Sequence, residues 1–76
     1  MGQQLRDMLS EALDRERALT TDQASKITGQ APITMAQQRA RGDGPPFIRI
    51  NRSIRYRLGD LLDWRDAHTV GRKVAP

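Results

Sequence analysis

Apolar residues recur at helical spacing in the first part of the chain. Leu5, Met8, Leu9, Ala12 and Leu13 fall on one face of a helix over residues 3–18, and charged or polar side chains fill the remaining positions. Neither proline nor an internal glycine interrupts the run. Such a face predicts docking, either on the rest of the chain or on a second copy of it, and the pattern leaves both open.

A second helix begins near Thr20-Thr21-Asp22, where a threonine hydroxyl can accept a backbone N–H of the first turn. It ends at Gly29, since glycine readily takes the left-handed conformation that closes a helix. Ala24 and Ile27 face inward. A third helix starts at Pro32, whose missing N–H would be unpaired in a first turn anyway, and runs to about Arg41 before Gly42. Met35 and either Gln38 or Arg39 point to the core, leaving Ile33, Ala36, Gln37, Ala40 and Arg41 outside.

Gly44-Pro45-Pro46 forbids helix and sets an extended backbone. Phe47 to Ile50 and Ile54 to Arg57 then read as two strands around Asn51-Arg52-Ser53. Alternation predicts Ile48, Ile50, Ile54 and Tyr56 on a buried face and Arg49, Arg55 and Arg57 on the other, with Arg52 at the tip. Asn51 tolerates the positive φ that tight hairpins often need. A last helix from about Asp60 to His68 buries Leu61, Leu62 and Trp64. The expected class is mainly α with a small β-hairpin: a winged helix-turn-helix over residues 19–68, an extra N-terminal amphipathic helix over 1–18, and a flexible basic tail over 69–76.

Charge sharpens this picture. The chain has 76 residues and a net charge of +4, but residues 19–58 carry seven basic side chains against two acidic. Six arginines and one aspartate share the stretch from Arg39 to Arg57. One-sided clustering of this kind is the footprint of a polyanion partner, nucleic acid before an acidic membrane. Cysteine is absent, which removes disulfide scaffolds and cysteine zinc sites. No apolar run approaches the roughly 18 residues of a membrane span, and the first residues lack the apolar stretch of a signal peptide. A soluble, cytoplasmic protein is expected.

The candidate chemistry is recognition rather than catalysis. Gln37 and Gln38 are suited to adenine and Arg41 to guanine in a major groove. Arg52, Arg49 and Arg57, with Asn51 and Ser53 at the tip, are suited to phosphates or a minor groove. Arg55 either joins them or pairs with Asp60 or Asp63. Thr20 and Thr21 serve as caps or receive a phosphate at the helix start. Tyr56 and Trp64 are expected in the core rather than stacked on bases. His68 has no second ligand or nucleophile at workable spacing, and Asp60, Asp63 and Asp66 read as a solvated helix face. No enzyme, cofactor or metal site is expected.

From Leu19 to about Arg65 the chain resembles the small excisionase and AlpA-type regulators, related to the DNA-binding domain of MerR proteins. The resemblance is carried by Leu19-Thr20-Thr21-Asp22-Gln23-Ala24, Gly29, Thr34-Met35, Arg39-Ala40-Arg41-Gly42-Asp43-Gly44-Pro45-Pro46-Phe47, Ile54-Arg55-Tyr56-Arg57 and Asp60-Leu61-Leu62-Asp63-Trp64. Two departures fall in the third helix: Ala31-Pro32 stands where members usually have a serine, and Gln38 where they usually carry a large apolar residue. The resemblance implies that Pro32–Arg41 enters the major groove of double-stranded DNA and Asn51–Ser53 lies against the backbone or minor groove. It further implies a bacterial or phage-encoded, nucleoid-associated excisionase that bends DNA at an attachment site for an integrase. A promoter-binding regulator, dimeric through Leu5, Met8, Leu9 and Leu13, is the alternative, and a protein-interaction module the more distant one.

Overall fold

A computed structural model describes residues 2–71; of the expected tail over 69–76, residues 72–76 lie outside the described residues. The chain folds as four helices around a small antiparallel sheet of three strands. In chain order these are α1 (Gly2–Arg15), β1 (Ala18–Leu19), α2 (Thr21–Thr28), α3 (Pro32–Arg41), β2 (Ile48–Ile50), β3 (Ser53–Arg57) and α4 (Leu58–Ala67). No described helix is long and apolar enough to cross a membrane.

Local chemistry sets α2 and α3. Thr20 caps α2 reciprocally: its hydroxyl accepts from the Gln23 N–H at 3.2 Å, and the Thr20 N–H donates to Gln23 Oε1 at 2.9 Å. Gly29 closes the helix at φ 77°. Pro32 opens α3 after Ala31, which offers no side-chain cap, and Gly42 ends it at φ 84°. A three-residue turn, 29–31, joins the two helices.

The first helix ends earlier than its periodicity suggests. Expected over 3–18, it stops at Arg15; after a turn, Ala18 and Leu19 form β1 opposite Arg57 and Tyr56. The Leu58 N–H donates to the Arg17 carbonyl at 2.9 Å and extends the pairing. Leu19 gains more from burial against Tyr56 than a further helical turn would give, and the extended Thr20 cap requires strand-like backbone before it. β3 is therefore central, with order β1-β3-β2.

The hairpin register also differs from the expected one. Ile50 pairs with Ser53, Arg49 with Ile54 and Ile48 with Arg55, so the loop has two residues, Asn51 and Arg52, not three. Asn51 takes φ 55°, which its short polar side chain tolerates. A one-residue shift moves side chains to the opposite face. Phe47, Arg49, Ile54 and Tyr56 thus share the inner face, while Ile50, expected inside, is 67% exposed.

Five elements each contribute one buried apolar side chain: Leu19, Ala24, Met35, Tyr56 and Leu61 from β1, α2, α3, β3 and α4. Ile27, Phe47, Ile54 and Leu58 pack around them. The last helix starts at Leu58 rather than Asp60, because Leu58 packs on the core directly from the end of β3. Leu62 and Trp64, expected to be buried, are only partly so, and Trp64 stacks on His68 with centroids 4.1 Å apart.

Loss of the reciprocal cap should be measurable in so small a domain. Thr20→Ala is expected to cost about 1 kcal/mol, read as a lower midpoint in urea denaturation, with Gln23→Ala costing less.

Candidate functional site

A basic cleft runs between α3 and the hairpin and continues to the start of α2. Ala36 and Ala40 of α3 form one wall and Arg49, Asn51, Arg52 and Ile54 of the hairpin the other. The continuation is lined by Thr20, Thr21 and Asp22 on one side and Arg52, Ser53 and Arg55 on the other. Arg39 lies in the floor of both parts. Ala36 and Ala40 give α3 a small-side-chain wall, and Arg52 stands exposed in the hairpin loop.

Arg39 was expected merely as one of two candidates for the core side of α3. Its Nη1 donates to the Tyr56 hydroxyl at 2.7 Å and to Thr21 Oγ1 at 3.3 Å. Its guanidinium carbon also sits 5.9 Å from the ring centroids of both Phe47 and Tyr56. Arg49 approaches the Phe47 ring to 5.8 Å. The register places Arg49 here; the expected three-residue loop would have turned it away.

Three of the described arginines are held in ion pairs. Arg15 pairs with Asp63 at 2.8 Å, Arg57 with Glu16 at 3.4 Å and Asp60 at 3.7 Å, and Arg41 with Asp43 at 3.3 Å. No carboxylate lies within 4.0 Å of Arg39, Arg49, Arg52 or Arg55 among the described residues. The tie between β3 and α4 thus falls to Arg57, not Arg55, because Arg57 stands one step before α4, three residues from Asp60. Arg55 instead donates to the Ile54 carbonyl at 2.7 Å. Asp63, considered as its partner, is taken by Arg15.

The remaining candidates separate by position. Ile33, Gln37 and Arg41 stand on the exposed face of α3 outside the cleft, and the exposed Arg41–Asp43 pair is of the kind worth at most about 1 kcal/mol. Gln38 is turned away from that face: its Oε1 is buried without a hydrogen-bond partner among the described residues. Its side chain lies so close beneath Gly44 that an added Cβ would meet it at 2.7 Å. Gly44 has φ 90°, so both space and conformation require glycine there. Thr20 is occupied as a cap, and Thr21 as an acceptor for Arg39.

On the far side, α1 touches the body through its last turn, where Arg15 Nη2 also donates to the Gly59 carbonyl at 3.3 Å. Leu5, Met8, Leu9 and Leu13 are 57–72% exposed. Among the described residues, no group of three or more His, Cys, Asp or Glu side chains is placed to hold a metal. Compared with protein-family models, curated proteins and solved structures, the chain matches none.

The buried Gln38 carbonyl has a simple consequence. Gln38→Met keeps the length of the side chain and removes an unpaired polar atom, so stability in urea should rise by about 1 kcal/mol. A loss of stability would show that the amide is satisfied.

Proposed function

We propose that the protein is a sequence-specific double-stranded DNA-binding protein of winged helix-turn-helix type. The observation that carries this reading is the cleft itself: Arg39, Arg49, Arg52 and Arg55 converge between α3, the hairpin and the start of α2 without a carboxylate within 4.0 Å among the described residues. Uncompensated cations held close together repel one another, and a phosphate backbone relieves that repulsion while releasing counterions. α3 has ten residues, about 15 Å of helix, and presents Ile33, Gln37, Ala40 and Arg41 outward. In this reading Gln37 and Arg41 meet base edges in the major groove, and Asn51, Arg52 and Ser53 grip the backbone or minor groove.

The biological role follows the resemblance of residues 19–65 to excisionases. The protein would bind beside an attachment site and deform the DNA so that an integrase assembles for excision, the strand chemistry belonging to the integrase. A second reading, a dimeric promoter-binding regulator, is favoured by α1. A two-fold antiparallel pair centred on Leu9 would set Leu5 against Leu13 of the second copy, so that one patch serves both.

DNA binding is tested by pull-down of sheared genomic DNA followed by titration of the enriched site. With four or five phosphates neutralised, log K is expected to fall with log salt at a slope of about −4. Arg52→Ala should weaken binding across all sequences, whereas Gln37→Ala should cost about 1–3 kcal/mol and relax selectivity at one base pair. A flat salt response from folded protein would sink the reading and point to a protein partner. Same-direction sites beside an integrase gene would favour excision; sites over promoters would favour regulation.

Self-association is tested by sedimentation. The wild-type chain should sediment as a dimer at micromolar concentration and Leu9→Glu as a monomer with unchanged helix content, since a charge cannot be buried at the two-fold contact without a partner. A monomeric wild type would remove the dimer reading.

A further inference from the structure

Arg39 has donors to spare in a place where charge is expensive. Both of its hydrogen bonds, to Tyr56 and Thr21, use Nη1. Nε and Nη2 make no hydrogen bond to protein among the described residues, and the residue is half-buried. A guanidinium carries five N–H groups in a rigid plane, and its Nε–Nη2 edge matches two oxygens of a phosphate or carboxylate. The Tyr56 and Thr21 oxygens tether Nη1, and the Phe47 and Tyr56 rings lie 5.9 Å from the guanidinium carbon, so the group is held at its base while the other edge stays unbonded. Asp22 stands on the rim of the same cleft, but not within 4.0 Å of Arg39.

We infer that Arg39 is a phosphate seat. Its Nε–Nη2 edge grips one phosphodiester of bound DNA between the start of α2 and the hairpin residues Arg52 and Arg55. This rests on the DNA-binding reading and deepens it. Arg39 is the fixed point from which α3 and the hairpin are set on the duplex, and it carries no sequence preference itself. The same geometry explains why the position tolerates a cation without a counter-ion: the counter-ion is the ligand.

The test uses the full chain with two ligands, inorganic phosphate and a duplex of the enriched sequence. Phosphate should raise the melting temperature more than chloride at equal ionic strength, and Arg39→Met should abolish that difference. The same variant should lower DNA affinity roughly tenfold and make the salt slope shallower by about one. Arg39→Lys, keeping charge but not the fork, should restore the slope and only part of the affinity. A folded Arg39→Met with unchanged slope and affinity would overturn the proposal and leave Arg39 as a strut for Tyr56.

Should Arg39→Met fail to fold, the Arg39 Nε–H signal of the wild-type protein decides by NMR. Movement of that signal on adding duplex or phosphate supports the seat. A silent Arg39 signal while that of Arg52 moves overturns the seat and leaves DNA binding intact. If phosphate moves it and no duplex binds, the seat stands and the DNA reading falls, with a free phosphate or nucleotide as ligand.

Discussion

The hydrogen bond from Arg39 to the Tyr56 hydroxyl, at 2.7 Å, joins the two halves of this small domain. Tyr56 is fully buried on the central strand and stands opposite Leu19 of β1. Its ring lies 6.2 Å from that of Phe47 in a tilted arrangement. A phenol buried so deeply needs a partner for its oxygen, and Arg39 supplies one from α3. Thr21 extends the link to α2. Through a single guanidinium the helix pair and the hairpin share a polar contact in addition to their common core.

This arrangement uses a charge where a neutral group would be cheaper. A half-buried cation without a carboxylate partner is poorly solvated, and the flanking aromatic faces offset only part of that cost. An apolar side chain of the same size would avoid that cost but leave the Tyr56 hydroxyl without this partner. The structure nevertheless places three more arginines around it, whereas Arg15 and Arg57, towards α1 and α4, have acidic partners. Four arginines without a carboxylate within 4.0 Å line the cleft, while Arg6, Arg17 and Arg65, outside it, are likewise without one among the described residues.

Much of the scaffold was legible in the sequence because its signals are local. Thr20, Gly29, Pro32 and Gly42 bound α2 and α3 by capping and backbone preference, which neighbours in the chain decide. The features that escaped are non-local. β1 is two residues long and lies in phase with the preceding helix, so only its pairing with β3 reveals it. The hairpin register turned on whether Asn51 alone could supply the positive φ of a two-residue loop. That one-residue difference decides that Arg49 joins the cleft and Ile50 faces outward. Arg39 and Gln38 are adjacent, and periodicity could not say which would be buried; the answer lies in Tyr56 and Gly44, far along the chain.

The size of the core constrains how such a surface can work. Five fully or nearly buried apolar side chains, one from each of β1, α2, α3, β3 and α4, leave little margin, so none of these five can move without uncovering part of the core. A domain of this kind does not bind by rearranging its hairpin against α3. It presents a cleft already formed, and ordering costs fall mainly on exposed side chains such as Arg52 and Gln37. α1 is the exception. It meets the body through Arg15 at Asp63 and Gly59, and no residue of it is buried. A helix of fourteen residues is marginal alone in water, so the apolar face of α1 gains most from a second surface. The walls of the cleft share one core, and α1 is the one described helix that contributes no buried residue to it.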